Sequence, residues 1–337
     1  MKEKVKALWK HCFNDSNDFI EMYFRTRYTK QINMSIESGG DLISALQMIP
    51  YPMTFCGQEV PTSYISGACT HPEFQGKGIM KELISQSLAR MYNEGVFFST
   101  LIPAEPWLFD YYSKLGYASV FKYTKKEMIV PDFVPSQEII IKKTLEYNIE
   151  LFKYLNENIK KRPCCIQHTR KDFKVILQDL LISNGEIFYA IKKKEIIGMA
   201  ILYKTAEYVR VEELLANNME VENSLLWAIR KETGKNKVCI NTPIENESYP
   251  SVPIGMGRIV NVKSVLQLYA SFYPKDEMQI ELTDNQLSSN NGYYYLFNGK
   301  CMFCDSRLPG AHVQLNISQL TAKILNKLKP YMSLMLN

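Results

Sequence analysis

The stretch at residues 63–79 reads SYISGACTHPEFQGKGI, and it decides how the rest of the chain is interpreted. Its apolar run Tyr64–Cys69 predicts a buried strand, and the small residues from Gln75 to Gly78 predict a turn. Apolar side chains then recur at helical spacing from Ile79 onward, at Leu83, Ile84, Leu88 and Met91. The sequence therefore predicts a strand, a glycine turn and a helix in direct succession.

This succession is suited to holding a phosphate. The first amides of a helix lack partners within the helix, and its dipole adds positive potential at the same end. Gly76 and Gly78 allow the main chain to approach an anion closely. Met80 and Lys81 break the dinucleotide fingerprint G-x-G-x-x-G, and the nucleotide P-loop pattern is absent. A plain glycine turn before a helix is the alternative interpretation.

A second motif follows in the chain. Residues 96–102 are an apolar run that ends at Pro103, which predicts another strand. The next segment has Pro106 where a helix would begin and Gly116 just past its end, which is the expected punctuation of a helix. Its last residues read Tyr112-x-x-Leu115-Gly116-Tyr117.

Together the two motifs resemble the signatures of the GNAT superfamily of N-acetyltransferases. The first resembles Q/R-x-x-G-x-G/A, with Gln75 in first place and Gly78 in the central place, while Met80 departs at the last small position. The resemblance implies acetyl-CoA as cosubstrate and Tyr112 as the acid that protonates the departing thiolate. It also implies main-chain cofactor contacts, first along the strand at Ala68, Cys69 and Thr70, and then at the pyrophosphate from the amides of Gln75, Gly76, Lys77, Gly78 and Ile79.

The composition excludes several other classes. The chain has 337 residues, is 46% apolar and carries a net charge of +5 spread along its length, which does not favour nucleic acid binding. No run is long enough for a membrane span, and no secretory signal is evident. Eight scattered cysteines are typical of free thiols in the cytoplasm. Cys301 and Cys304 would point to opposite faces of a strand, so we predict no metal site.

Acidic residues near the start are candidates for binding a cationic acceptor. Two short helices are predicted on either side of a break at residues 14–18, and in the superfamily such helices form one wall of the acceptor cleft. Asp15, Asp18 and Glu21 lie there, and Asp15 is the best candidate because it sits in the break. Ordinary helix capping by Asp18 or Ser16 is the alternative.

The rest of the chain extends the resemblance. We predict an α/β (α+β) fold in three parts, with a catalytic domain at 1–132, a degenerate copy at 139–245 and a small α+β domain at 251–337. The copy has no glycine where a phosphate turn is needed, and Glu220 and Glu222 would repel phosphate there. The third part opens Gly257-Arg258-Ile259-Val260-Asn261 and resembles sterol carrier protein. This order resembles the enhanced-intracellular-survival type of acetyltransferase, which implies that the main-chain carboxylate of Asn337 enters the active site.

The predicted function is direct transfer of acetyl from acetyl-CoA to a primary amine of a small molecule or peptide, within a ternary complex. The alternative is a protein that binds acyl-CoA or lipid without turnover. A covalent route through Cys69, activated by His71, is a further alternative. Whether the chain forms a homo-oligomer is left open by the sequence.

Overall fold

A computed structural model describes residues 1–244 and 250–336 of the chain. The chain divides into two compact units. The first unit contains residues 1–121 and 254–330, and the second contains the described residues of 122–253 together with 331–336. As compact bodies there are thus two units, and the division into a catalytic domain, a degenerate copy and a small α+β domain stays a prediction.

The helices are Lys2–Cys12 (α1), Asn17–Thr26 (α2), Ile79–Asn93 (α3), Pro106–Ser113 (α4), Ile149–Lys160 (α5), Arg170–Ile182 (α6), Met219–Thr233 (α7), Val262–Phe272 (α8) and Ile317–Asn326 (α9). The strands are Asn33–Ser38 (β1), Asp41–Phe55 (β2), Gln58–Thr70 (β3), Phe98–Leu101 (β4), Ala118–Ile129 (β5), Ile140–Lys143 (β6), Cys165–Ile166 (β7), Gly185–Lys192 (β8), Glu195–Lys204 (β9), Val209–Ala216 (β10), Lys237–Thr242 (β11), Ser251–Ile259 (β12), Met278–Thr283 (β13), Gly292–Phe297 (β14), Lys300–Cys304 (β15) and Val313–Asn316 (β16).

The main sheet of the first unit contains β1, β2, β3, β4 and β12 in that order. β3 and β4 run parallel, and the other neighbours in this order are antiparallel. The helix α3 lies between the parallel strands in the chain and buries Leu83, Ile84 and Leu88. These side chains share one apolar cluster with Ile65 of β3 and Tyr112 of α4. The predicted strand, turn and helix are therefore confirmed, and so is the mixed α/β class.

The strand β12 comes from the predicted third part of the chain. Its residues Met256–Ile259 pair with Leu101–Phe98 of β4, so residues 254–330 complete the sheet that carries β3. Such pairing between distant segments leaves no signal in local sequence patterns.

One strand prediction needs correction. The runs from Asp41 to Ile49 and from Tyr51 to Cys56, on either side of Pro50, predict two strands. The structure instead has a single strand of 15 residues, β2, which includes Pro50 and Pro52. Pro50 is opposite Ser63 and Pro52 is opposite Pro61 in the ladder with β3. Proline fixes a φ angle that extended backbone accepts, and it breaks a strand only where its missing N–H is needed.

The second unit has a sheet in the order β11, β10, β9, β8 and β6, and residues 124–129 of β5 pair with β11. β10 and β11 run parallel. The helices α5, α6 and α7 pack on this sheet through buried apolar side chains. The unit thus repeats the pattern of antiparallel strands, a helix and a parallel strand.

Residues 278–316 of the first unit form a smaller sheet in the order β15, β14, β13 and β16. The pair Asn298-Gly299 is typical of a two-residue hairpin turn, and it forms one between β14 and β15 with positive φ angles of 47° and 76°. Cys301 is opposite Leu296 and Cys304 is opposite Tyr293, which places the two thiols on opposite faces as predicted. In the described part of the chain, no helix is both long and apolar enough to span a bilayer.

Candidate active site

The parallel strands of the first unit separate at their carboxyl ends. β3 and β4 pair only over Thr62–Tyr64 and Phe98–Thr100, yet β3 continues to Thr70. The side of β3 that faces away from β2 therefore has no strand partner from residue 65 to 70 among the described residues. Unpaired main-chain groups on an open edge can pair with an extended ligand.

A β-bulge lies within this open segment. Gln47 pairs with Ser66 and Ala45 pairs with Cys69, so Gly67 and Ala68 together face one residue of β2. Gly67 has a φ of 57°, and a Cβ placed on it would lie 2.0 Å from Cζ3 of Trp9. The glycine is therefore needed for both the bulge and the close contact with the indole. A glycine inside an apolar strand is the sequence signal for such a bulge, and our sequence analysis missed it.

The Trp9 indole connects the bulge to an acidic residue. Its Nε1 donates to Oδ2 of Asp15 at 2.7 Å, and Asp15 is half-buried in the connection between α1 and α2. Asp18 is exposed in the first turn of α2, and Glu21 is exposed and paired with Lys6. Ser16 caps α2 by accepting from the amide of Phe19 at 3.2 Å. Of the three acidic candidates, Asp15 alone is held in place by a buried partner.

The loop after β3 presents free amides. A short 3₁₀ turn over Pro72–Phe74 leads into it, and α3 begins with Gly78 as N-cap and no side-chain cap. Gly76 and Gly78 have φ angles of 73° and 80°, and a Cβ on either would meet nothing within 4 Å. No acceptor among the described residues engages the amides of Gly76, Lys77, Gly78 and Ile79. The loop thus combines free donors, open space and the positive end of the α3 dipole, which suits an anion.

Gln75 differs from the other four loop residues. Its amide donates to the carbonyl oxygen of Pro72 at 3.2 Å, so this donor is engaged within the loop, in contrast to our expectation. Its side-chain Nε2 donates to the carbonyl oxygen of Thr70 at 3.1 Å. Gln75 therefore ties the loop to the end of β3. The Lys77 ammonium donates to the carbonyl oxygen of Glu73 at 2.9 Å and lies 5.1 Å from the Phe74 ring centroid.

Tyr112 lies near the end of α4, as predicted. Its side chain is buried, with ring contacts to Tyr111 at 5.2 Å and Tyr117 at 5.8 Å between centroids. Burial raises the pKa of Tyr112, and the neighbouring tyrosines add to the rise. The hydroxyl makes no hydrogen bond to any residue that the structure describes. A protonated phenol without an internal acceptor can donate to a ligand.

The structure argues against Cys69 as a nucleophile. A hydrogen bond with the Cys12 thiol and burial together raise the pKa of the Cys69 thiol well above its usual value, so it stays protonated. His71 stacks on His11, with centroids 4.9 Å apart and planes 2° apart.

Asn337 lies outside the described residues, so the prediction for its main-chain carboxylate stays a prediction. The preceding residues 331–336 pack into the second unit, where Tyr331, Met332, Ser333, Leu334 and Leu336 are buried. Within residues 1–244 and 250–336, no three His, Cys, Asp or Glu side chains converge to hold a metal ion.

A separate cavity of about 530 Å³ lies beside the smaller sheet of the first unit. Apolar side chains line it together with polar groups such as Glu277, Gln279 and Lys323. The lining is thus mixed, and nothing in it selects lipid over another ligand.

One family model matches the N-terminal part of the chain. Residues 2–120 match the family model described as an acetyltransferase (GNAT) domain. The search of curated proteins finds no match. The match to the family model covers the bulge, the glycine loop and Tyr112.

Solved structures share the fold over nearly the whole chain. A GCN5-related N-acetyltransferase from Anabaena variabilis is 17% identical with a TM-score of 0.78, covering 98% of this chain and 96% of its own. A GCN5-related N-acetyltransferase from Kribbella flavida is 14% identical with a TM-score of 0.76, and the match covers 99% of this chain and 95% of that protein. Eis1 from Mycobacterium abscessus is 12% identical with a TM-score of 0.72, covering 96% and 87%.

Identities this low establish the fold alone. The family match adds a domain type for the N-terminal segment, residues 2–120. Residues 2–120 therefore form an acetyltransferase domain of the GNAT type, which makes the chain an acyltransferase.

Proposed function

We propose that the chain moves acetyl from acetyl-CoA to a primary amine by direct transfer within a ternary complex. One observation carries the proposal. The open edge of β3 includes the bulge of Gly67 and Ala68, and the loop with the free amides of residues 76–79 follows it in the chain. The site therefore offers main-chain groups for strand-like pairing and, next to them, a site for an anion. This succession fits an extended arm that ends in a pyrophosphate.

The loop and the open edge of β3 would bind different parts of acetyl-CoA. The amides of Gly76, Lys77, Gly78 and Ile79 would hold the pyrophosphate, and Gln75 would keep the loop in place through its bond to Thr70. The main chain at Ala68, Cys69 and Thr70 would pair with the pantetheine arm. An amide near Cys69 or Thr70 would face the thioester oxygen, and one such donor typically lowers the barrier by about 2.7–4 kcal/mol.

The transfer forms a C–N bond and breaks the C–S bond. Tyr112 gives its proton to the departing thiolate sulfur, and general acid help of this kind contributes about 100- to 10,000-fold. Its raised pKa keeps the phenol protonated until the thiolate forms. The attacking amine loses a proton to a base, for which the main-chain carboxylate of Asn337 is the candidate.

Asp15 supports an acceptor that is cationic before it reacts. Its Oδ2 is fixed by the Trp9 indole, which itself packs on Gly67 in the bulge. A fixed carboxylate beside this part of β3 would bind an ammonium group by a charge-assisted hydrogen bond. Asp18 lacks such support, so we assign acceptor binding to Asp15.

The test uses the full chain with acetyl-CoA and a panel of polyamines, aminoglycosides and lysine peptides. Release of free thiol is followed with a chromogenic disulfide, and the acetylated product is identified by mass spectrometry. We expect thiol release that depends on the amine and a product heavier by one acetyl group. Tight acetyl-CoA binding without release on any amine would instead support a binding protein without turnover.

A further inference from the structure

We propose that Arg258 is a positioning residue for Tyr112, which it holds through Gly116 at the end of α4. The inference rests on the proposed acid role of Tyr112 and deepens it. It also gives the segment 254–330 a part in the acetyl-transfer site, through contacts within the first unit alone.

Arg258 is the largest side chain that is fully buried. It lies on β12 with 0% of its surface exposed, and its Nη2 donates to Oδ1 and Oδ2 of Asp284 at 2.7 and 2.9 Å. Asp284 is held in turn by the amides of Gln286 and Leu287, at 3.0 and 3.1 Å, and by Nδ2 of Asn290 at 2.9 Å. The carboxylate is therefore fully satisfied and fixed in position.

The guanidinium is not satisfied in the same way. Its Nε and Nη1 meet no acceptor among the described residues. Buried donors are almost always paired, and an unpaired one costs stability. A buried pair of this kind is weak evidence for a stabilising role, because apolar residues of similar volume often replace such pairs without loss. The arrangement therefore calls for another explanation, and its contact on the Nη1 side supplies one.

Nη1 lies directly against the end of α4. A Cβ placed on Gly116 would come 2.5 Å from Nη1 of Arg258 and 2.6 Å from Cγ2 of Ile317. Gly116 also has a φ of 88°, so its conformation and its surroundings both require glycine. The guanidinium thus sets the distance between β12 and the turn that follows α4. A cation at this end also complements the negative end of the α4 dipole.

The same segment of chain holds the next residue. Oγ of Ser318 donates to the carbonyl oxygen of Tyr117 at 3.0 Å, and the Tyr117 hydroxyl lies 2.7 Å from Oγ of Ser99. The amides of Leu115 and Tyr117 donate back to the carbonyl oxygen of Tyr112 at 2.9 and 3.2 Å. Two hydrogen bonds therefore link the main chain of Tyr112 to the turn at residues 115–117. Arg258, Ile317 and Ser318 contact this turn.

The first experiment compares Gly116→Ala with Gly95→Ala in the full chain. Gly95 has a similar φ of 74°, but a Cβ on it would meet nothing within 4 Å, so it controls for backbone strain. We expect Gly116→Ala to lower kcat about 10- to 100-fold, because a misplacement near 1 Å can cost that much. We expect the Kd of acetyl-CoA to change by less than about twofold, and Gly95→Ala to keep the kcat of the original chain. Equal kcat for both variants would overturn the proposal.

Arg258→Lys is the second variant, for use if Gly116→Ala does not fold. It keeps the charge but loses the planar guanidinium, whose Nη2 binds Asp284 and whose Nη1 lies against Gly116. Hydrogen exchange of residues 112–117 should accelerate in this variant. If both the hydrogen exchange of residues 112–117 and kcat stay unchanged in Arg258→Lys, the proposal is overturned. This result does not require the Gly116→Ala variant to fold.

A double-mutant cycle separates positioning from general loss of structure. If Arg258 acts through Tyr112, adding Arg258→Lys or Gly116→Ala to Tyr112→Phe should lower kcat by less than about threefold further. A full additive loss would mean that the network acts elsewhere, and it would overturn this inference while leaving the acid role intact. An unchanged kcat in Tyr112→Phe alone would overturn the acid role, and with it this inference.

Discussion

The two units contain the same local arrangement and use it differently. In each, a strand pairs with a parallel neighbour over only three residues, 62–64 with 98–100 in the first unit and 209–211 with 238–240 in the second. In each, the register with the antiparallel neighbour then shifts, and a helix of 15 residues follows. The two units differ in the side chains beside the register shift and in the groups at the helix N-terminus.

At the N-terminus of α3 no side chain caps the first amides, whereas at that of α7 a side chain caps one of them. Gly78 offers no side-chain cap, while Oδ1 of Asn218 accepts from the amide of Val221 at 3.0 Å. Glu220 and Glu222 add negative charge to the first turn of α7, as the sequence predicts. A helix N-terminus is therefore an anion site only where the sequence leaves it open.

An ion pair with a buried carboxylate lies at the corresponding place in the second unit. Glu213, just past the register shift in β10, is 1% exposed and binds both terminal nitrogens of Arg162 at 2.8 Å. The hydroxyl of Ser333 donates to the same carboxylate, and the Tyr331 ring lies 4.7 Å from the guanidinium. Charged and polar groups thus bind one another just past the register shift of β10, whereas β3 has the small residues Gly67 and Ala68 at its own shift.

If the first unit alone carries out turnover, Tyr112→Phe should remove most of it. We expect kcat to fall about 100- to 10,000-fold, because the departing thiolate loses its proton donor. The Kd of acetyl-CoA should stay within about twofold, since the hydroxyl is not part of the proposed pyrophosphate or pantetheine contacts. Steady-state kinetics and calorimetry measure the two quantities separately.

Tyr111→Phe is the matched control, because Tyr111 is the adjacent phenol on the same helix and is half-buried. Its kcat should equal that of the original chain. Burial raises the pKa of Tyr112, so the protonated form persists as the pH rises through neutrality. An acid of this kind loses activity only above its pKa, and a fall in kcat between pH 7 and about 9 that disappears in Tyr112→Phe would contradict the assignment.

The comparison of helix N-termini is tested most directly by Gly78→Asp. The carboxylate would stand beside the free amides, where it would repel a pyrophosphate and compete for the same donors. We expect acetyl-CoA affinity to fall by about 100-fold or more, which corresponds to about 2.7 kcal/mol. Calorimetry measures the loss, and a thermal melt shows whether the chain still folds.

Gly95→Asp is the control at the opposite end of α3. Both glycines have positive φ angles, at 80° and 74°, and both have open space where a Cβ would go. The two variants therefore carry the same charge change and similar strain. Equal loss of acetyl-CoA affinity in both would show that strain, and not charge at the amides, is responsible.

Local patterns predicted the elements of this site well. The start of α3 at Ile79 and the start of α4 at Pro106 follow from glycine and proline, which act on their own neighbours. The two glutamates of the middle segment lie in the first turn of α7, and its role as a copy without a phosphate site stays a prediction.

The sequence could not show what depends on distant pairing. The pairing of β12 with β4 and the contact of Arg258 with Gly116 join residues far apart in the chain. The local sequence around one partner does not indicate the other. The engaged amide of Gln75 depends on the 3₁₀ turn before it, which Pro72 permits but does not dictate. The link from Trp9 to Asp15 likewise needs the fold of the α1 to α2 connection.

A smaller effect is expected for Asp15→Asn, which keeps the shape of the side chain and removes its charge. The KM for a cationic amine should rise about tenfold, because one charge-assisted hydrogen bond is weakened by about 1.5 kcal/mol. Asp18→Asn is the control, since Asp18 is exposed and serves only the first turn of α2. A rise in KM of equal size in both variants would point to the general field of α2 and not to a fixed carboxylate.

The smallest effect concerns the closed N-terminus of α7. Asn218→Ala with Glu220→Gln and Glu222→Gln removes the cap and the negative charge, and loss of the cap should lower the free energy of unfolding by about 1 kcal/mol. Asn148→Ala, which removes the cap of α5 in the same unit, is the control for that cost. Acetyl-CoA should still bind at one equivalent per chain in calorimetry, because the Arg162–Glu213 ion pair and Ser333 remain beside β10 where β3 has only glycine and alanine. A second equivalent in the triple variant would show that the cap alone closes this unit to the cofactor.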